Sequence, residues 1–238
     1  MRLPSCPRAS ALLAYAALGF ALYAEVLAHG PFVMDDDLYV AHNPALRDLG
    51  ARLRDLGEPR YVGGLALALD FARADLDPLP YHLTNVLLHI AAAFVAFLLA
   101  TELVRQAGPA GEVPGPGEGG RGLAFFTGLL FLVHPLQTSA ASYISQRFAC
   151  LAALFYLAAC LSYLVFRAAQ EEGRSPWRRR LVYLLSLALA LLAMKSKENA
   201  FSLPAMLLLA EALILRNSRL GRRRFAYLLP HLAVAAVI

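Results

Sequence analysis

Charge is scarce in this sequence. Only 16% of its 238 residues are Asp, Glu, Lys or Arg, whereas 59% are hydrophobic. A water-soluble domain is typically about 25% charged and about 45–50% apolar. So little charge cannot cover the surface of a soluble globule, and the apolar residues come in long runs, with a mean hydropathy of +0.54. A soluble enzyme, a disordered chain and a nucleic-acid-binding domain are all poor readings. Cysteine is thin as well. Three residues are too few for a disulfide scaffold, and Cys150 and Cys160 lie inside an apolar run, where a buried thiol is the ordinary state. No internal repeat is visible.

What the sequence has is spans. A membrane-crossing helix needs roughly 20 mostly apolar residues, with a usable range of about 17–25. On that scale seven stretches qualify: 10–29, 81–104, 122–135, 148–167, 181–196, 199–216 and 225–238, the third and fifth being short. The first begins after Arg2 and Arg8 and ends near Val26-Leu27-Ala28, which resembles a signal-peptidase site. Its apolar run is longer than a usual signal core, so it is expected to remain as the first membrane helix. The last stretch is about 21 Å long at about 1.5 Å per residue, short of the roughly 30 Å hydrocarbon core. The expectation is that the chain is the N-terminal part of a longer membrane domain.

The basic residues give an orientation. With the N-terminus in the cytoplasm, the inner segments hold Arg2, Arg8, Arg105, Arg121, Arg167, Arg174, Arg178 to Arg180, Arg216, Arg219 and Arg222 to Arg224. The short outer connections hold only Arg147, Lys195 and Lys197. This bias predicts an N-in topology and accounts for most of the +5 net charge. The inner connection 107–121 (AGPAGEVPGPGEGGR) is rich in Gly and Pro and reads as a flexible linker. The outer segment 30–80 is longer than a plain connection should be, which usually marks function or disorder. Its apolar content predicts short interfacial helices, Leu65–Ala72 being one candidate.

Helix counting brings three polar clusters to the same outer face: Asp35-Asp36-Asp37; His134-Pro135 with Tyr143, Gln146 and Arg147; and Lys195-Ser196-Lys197-Glu198-Asn199. Each alone also reads as ordinary. An acidic triplet can be a solvated loop or a helix N-cap, a His-Pro can end a helix, and the lysines can snorkel to the interface. Together they matter more, because ionisable residues near membrane depth are expensive and tend to mark function. Carboxylates facing cations across one aqueous rim suit an anionic, phosphate-bearing ligand.

The order FVMDDDLYVAHNPALR, YHLTNVLLHI, LFLVHPLQTSAASYISQR and SKENAFSLP, from about Phe32 to Leu215, resembles the membrane domain of the protein O-mannosyltransferase-like proteins that carry transmembrane helices followed by tetratricopeptide repeats. Those are GT-C class glycosyltransferases. The resemblance implies an all-α polytopic membrane bundle of GT-C type, working as a multi-pass protein of a bacterial inner membrane or its equivalent, with its site on the periplasmic or luminal side. It implies a polyprenyl-phosphate sugar donor, mannose above all, and a hydroxyl acceptor, typically protein Ser or Thr. It maps the acidic catalytic motif onto Asp35, Asp36 and Asp37. Asp36 is the favoured base, since a positioned carboxylate can take the proton of a weakly nucleophilic hydroxyl. Arg147, Lys197 and His134 are the donor-phosphate candidates, a cation offsetting the charge of the departing phosphate. Glu198 is placed to orient Lys197, with Tyr143 and Gln146 in support. The resemblance fixes no cofactor. A divalent cation is compatible with the acidic motif and would use Asp35 and Asp36.

Two positions depart from the family pattern. Ser139 stands where Glu is usual, and Ala149 where Asp is usual. Glu211, in the sixth stretch, reads as an interhelical hydrogen bond or ion pair. The rival reading is a truncated or degenerate non-catalytic relative that binds a lipid or a partner. A transporter ranks lower, because its polar residues would sit near the bilayer midplane, whereas these clusters lie at helix ends.

Overall fold

The structure, a computed structural model, describes residues 8–107, 118–215 and 221–238. Arg2, the Gly/Pro-rich stretch 108–117, Arg216 and Arg219 lie outside the described residues. Among those described there is no strand, and the chain is a helical bundle. Helices α1 (Arg8–Leu22) and α2 (Ala24–His29) form the first stretch, interrupted at Tyr23. Helices α3 (Leu49–Arg54) and α4 (Tyr61–Ala74) occupy the long loop, and α4 contains the expected Leu65–Ala72. Then come α5 (Pro78–Ala107), α6 (Glu118–Val133), the short α7 (Thr138–Ser142), α8 (Arg147–Glu171), α9 (Pro176–Met194), α10 (Leu203–Leu209) and α11 (Leu229–Val237).

Among the described residues, two helices are long and apolar enough to cross a membrane, Pro78–Gln106 and Ile144–Glu171. A third exists if Gly119–Val133 and Pro135–Ser142, bent by 52°, make one span. The break falls at His134-Pro135, where the proline biases the residue before it out of the α region. His134 is accordingly extended at φ −64°, ψ 129°. Of the remaining expected stretches, 181–196 lies in the unbroken 19-residue α9, which carries Arg178 to Arg180 at its start, and the others are helical but shorter or broken. Residues 199–216 split into a 3-10 turn (Glu198–Ser202), the seven-residue α10 and a π-helical turn (Ala210–Ile214). Residues 225–238 begin in the 3-10 segment Gly221–Leu228 before α11.

Cross-helix contacts give each helix its direction. Helices α5 and α8 run parallel: Arg147 meets Tyr81 and Asn85 at their starts, and Gln106 Nε2 donates to the Leu164 carbonyl at their ends. Helix α1 runs against α5, with Tyr15 edge-on to Phe97 and Tyr23 edge-on to His89. Gly128 lets α6 approach closely, because a Cβ there would stand 2.5 Å from the Tyr15 hydroxyl and 2.8 Å from the Ala93 carbonyl. Small residues at such crossings are how helices associate in lipid.

Two buried arginines bracket α8. Arg147 sits at its start and Arg167, whose Nε is 2.6 Å from Glu211 Oε1, near its end. Twenty residues of helix separate them, about 30 Å, the thickness of a hydrocarbon core. Glu211 also accepts from Tyr163 Oη at 2.7 Å, which makes the expected interhelical pair. The π-helical turn carries Glu211, an element frequent at special positions in helices.

Candidate functional site

Arg147 is the centre around which the end of the bundle that carries the 30–80 loop is built. It is fully buried. Its Nε donates to Asn85 Oδ1, Nη1 to the Ala66 carbonyl and Nη2 to the Tyr81 carbonyl, each at 2.9 Å. Nη1 also lies 2.5 Å from Asp70 Oδ2, a buried carboxylate on α4. One guanidinium thus ties α4, α5 and α8 together. The planar fork of Arg can serve several acceptors at once, which a lysine cannot. Asn85 completes the junction, its Nδ2 donating to the carbonyls of Tyr143 (3.1 Å) and Ile144 (3.3 Å).

The acidic loop lies on this platform. Asp36 is fully buried. Its Oδ1 accepts from the Ser145 N–H at 2.7 Å and its Oδ2 from the Val33 N–H at 3.1 Å. The loop is fastened again by the Asp35 N–H, which donates to Tyr143 Oη at 3.1 Å. Asp35 and Asp37 are exposed, and their carboxylates make no hydrogen bond or ion pair among the described residues. Met34, just before them, holds φ at +51°, a left-handed conformation uncommon outside glycine. Non-glycine residues held there cluster at functional sites.

The third cluster reaches the same end through α4. The Val62 N–H donates to the Lys195 carbonyl at 3.1 Å, and Lys195 Nζ to the Leu56 carbonyl at 3.2 Å. Arg60 holds Glu198 in a fork, with Nε to Oε1 at 2.8 Å and Nη2 to Oε2 at 3.0 Å. That hydrogen bonding holds the Glu198 carboxyl below its ordinary value and raises the Arg60 guanidinium. Arg60 also reaches Tyr39 Oη at 3.4 Å and stacks over Phe148, linking the acidic loop, α4 and the 195–199 segment.

The sequence-predicted residues therefore divide. The structure joins Asp35 and Asp36 to Tyr143 and the Ser145–Arg147 turn. It places Arg147 inside the protein with all three guanidinium nitrogens engaged, not on the rim. Glu198 is hydrogen-bonded by Arg60, while Lys197 acts on it only through its charge. Lys197 is half-buried, and its ammonium makes no hydrogen bond or ion pair among the described residues. His134 is exposed and uses its Nδ1 to accept from the Leu136 N–H at 3.2 Å, capping its own turn. Gln146 closes the turn before α8 through its N–H to the Tyr143 carbonyl. Among the described residues no three His, Cys, Asp or Glu side chains gather as a metal-ligating set.

Sequence reasoning missed Asp70, Asn85, Arg60 and His82. Asp70 and Asn85 carried a usable signal, since each is a polar residue inside an apolar helical stretch. His82 is 1% exposed, and a Cβ at Gly30 would lie 2.7 Å from its Nε2, so only glycine lets the first stretch end against it. Arg60 gave no signal among the scattered charges of its loop.

The chain is 30% identical over 228 residues to protein O-mannosyl-transferase Tmtc1 of Drosophila melanogaster, which covers 85% of this chain and 24% of that protein. It is 29% identical over 216 residues to protein O-mannosyl-transferase TMTC1 of Homo sapiens, covering 80% and 22%. Against protein O-mannosyl-transferase Tmtc3 of Drosophila melanogaster the identity is 29% over 154 residues, covering 60% and 16%. The chain thus spans about a quarter or less of the length of these curated relatives. No family model and no solved structure matches it. Over most of its own length, the chain is related to these protein O-mannosyl-transferases.

Proposed function

We propose that this chain forms the acidic-loop half of a membrane glycosyltransferase that moves mannose from a polyprenyl phosphate to a hydroxyl of a protein acceptor. The observation that carries the reading is the division of charges at the loop end of the bundle. Asp36 and Arg147 are consumed in holding the loop on the helices, while Asp35, Asp37 and Lys197 stay uncommitted at that same end, and of the two free carboxylates Asp35 is the one whose N–H is fastened to Tyr143 Oη. The free carboxylate suits a base for the acceptor hydroxyl, and the free ammonium suits the phosphate that leaves. Asp35 therefore replaces Asp36 as the favoured base, and Asp36 becomes a positioning residue. The distribution of Arg supports an N-terminus in the cytoplasm and a site on the outer face.

The test supplies polyprenyl phosphate carrying labelled mannose and an acceptor peptide to protein in lipid nanodiscs. Asp35→Asn is expected to cut transfer by about 10²–10⁴-fold, the usual contribution of a general base, with an unchanged melting temperature. Equal transfer by Asp35→Asn and the parent protein removes Asp35 from the mechanism. The second reading, a non-catalytic relative, draws on Ser139 and Ala149 and on the internal use of Arg147. Transfer absent from the parent protein while lipid-phosphate binding persists would favour it.

A further inference from the structure

Three histidines are buried among the described residues, His82, His89 and His231. Two of them are bonded: His89 Nε2 lies 3.0 Å from the Leu132 carbonyl oxygen, and His231 Nε2 lies 3.1 Å from Ser186 Oγ. His82 is different. It is 1% exposed, both ring nitrogens are out of reach of solvent, and neither has a partner in hydrogen-bonding geometry among the described residues. It stands at the start of α5, one residue after Tyr81 and three before Asn85, the two residues of that helix that hold Arg147. A buried polar group without a partner is destabilising. Sequences that otherwise fold consistently break such local rules mainly at functional or strained sites.

The ring packs against the start of the acidic loop. A Cβ at Gly30 would lie 2.7 Å from His82 Nε2, and the backbone of Gly30 and Pro31 faces the ring. Asp36 and Arg147 are the charged groups that act on it. Both Asp36 oxygens already accept from backbone N–H groups, and the three guanidinium nitrogens of Arg147 are engaged elsewhere. The Gly30 N–H is committed to the Val26 carbonyl at 2.8 Å, and Pro31 has no N–H. What this stretch can offer the ring is therefore carbonyl oxygen, and the matching group is an imidazole N–H. Farther along, the loop is fastened through Asp36 and through the Asp35 N–H on Tyr143 Oη. Met34, at φ +51°, lies between the two ends. A small shift at Gly30–Pro31 thus passes straight into the strained segment that carries Asp35.

We propose that His82 is a positioning residue for the transfer: an N–H of its imidazole donates to the carbonyl edge of Gly30–Pro31 when the loop settles onto α5, and that bond sets where the Asp35 carboxylate stands. The proposal rests on Asp35 as the base and adds the group that aims it. The ring itself meets neither sugar nor phosphate. Its effect travels along the chain from 30 to 35, so it belongs to turnover and not to donor binding.

The experiment compares the parent chain with His82→Leu and His82→Gln in lipid nanodiscs. Gln keeps an N–H donor near the place of Nε2, and Leu keeps apolar bulk without one. Three quantities are read: the melting temperature, hydrogen–deuterium exchange of the peptide 31–38 by mass spectrometry, and mannose transfer at varied polyprenyl phosphate mannose. His82→Leu is expected to melt within about 2 °C of the parent, because the lost bond and the avoided burial of an unpaired ring offset one another. It should exchange at least about threefold faster over 31–38 and lose about tenfold in kcat at unchanged donor KM, the equivalent of one hydrogen bond. His82→Gln should stay within about threefold of the parent in kcat and exchange like it. Parental turnover in His82→Leu overturns the proposal, as does a His82→Gln protein as slow as His82→Leu. A fall in Tm of more than about 2 °C in His82→Leu, or its failure to fold, also overturns it, since His82 is then a packing residue. If the parent chain transfers no mannose, or Asp35→Asn transfers at the full rate, the donor or base reading fails separately and exchange decides alone. Faster exchange in His82→Leu but not in His82→Gln then supports the loop contact, and equal exchange in all three overturns it.

Discussion

Replacing Arg147 with Met tests whether this arginine is an internal clamp or a phosphate ligand. Methionine keeps much of the apolar stem and removes the guanidinium. The Asp70 carboxylate, 1% exposed, would then keep only Thr84 Oγ1 at 3.2 Å and the largely solvent-exposed Arg73. Asn85 Oδ1 and the carbonyls of Ala66 and Tyr81 would each lose a charged donor. A single hydrogen bond to a charged group contributes about 1.5–3 kcal/mol, but desolvation of the guanidinium offsets part of that total. Removing one partner of a buried pair costs about 3–5 kcal/mol net. At about 2–4 °C per kcal/mol for a chain of this length, Arg147→Met should lower Tm by about 6–20 °C. The assay is a fluorescence-detected melt in detergent, with no lipid phosphate present. The double variant Asp70→Leu with Arg147→Met should recover part of the loss, because neither charge is then left alone. A drop under about 2 °C, less than about 1 kcal/mol on this scale, would refute the clamp.

Lys197→Gln should leave the melt of the lipid-free protein unchanged and lower mannose transfer, because the cation for the leaving phosphate is lost. Asp36→Asn should lower Tm by about 2–6 °C, since the amide carbonyl keeps one of two backbone hydrogen bonds and about 1–1.5 kcal/mol is lost with the other. Asp35→Asn should leave Tm in place. Gly128→Ala should cost about 1–3 kcal/mol, or about 2–12 °C, through overpacking against Tyr15 and Ala93. The Arg60 fork adds a pH dependence. Hydrogen bonding from Arg60 holds the folded Glu198 carboxyl below its ordinary 4.5, so the pair stabilises the protein fully above that value. The contribution is lost as pH falls below 4.5 through the folded value. Both side chains are more than a third exposed, so the gain is at most about 1 kcal/mol. The Tm difference between parent and Arg60→Gln should be measurable near neutral pH and vanish in strong acid. A difference that grows in acid would refute the pairing.

The helices were legible because apolar runs of 15–30 residues leave few alternatives, and the apolar Leu65–Ala72 announced α4 in the same way. The meeting of the three polar clusters was legible too. Helices that alternate in direction return every second connection to the same end, and the contacts of Asp35 with Tyr143 and of Val62 with Lys195 place them there. The roles of individual charges were not legible. The acceptors of Arg147 lie 62 to 81 residues away in sequence, and the partner of Glu198 lies 138 residues away. No local pattern encodes such pairings. An arginine next to an aqueous rim looks the same in sequence whether its guanidinium points out or in.

That ambiguity decides how the site should be understood. Four of the charged residues singled out by sequence at this end, Asp35, Asp36, Arg147 and Lys197, are two of each sign. If all four faced solvent, Arg147 and Asp36 would neutralise one another at the rim. Burial separates them instead. Asp36 turns inward to backbone N–H groups and Arg147 to Asp70, Asn85 and two helix carbonyls, so neither contributes its charge to the rim. Beside the Arg60–Glu198 pair and Lys195, the outward charge that remains among these clusters is Asp35 and Asp37 on the loop and Lys197 on the connection between α9 and α10. Those two connections are joined through Arg60, which bonds Tyr39 on the loop side and Glu198 beside Lys197. The buried charges fix where the exposed ones stand. A substitution at Arg60 should therefore disturb the spacing between acid and cation without removing either, and appear first as a raised KM.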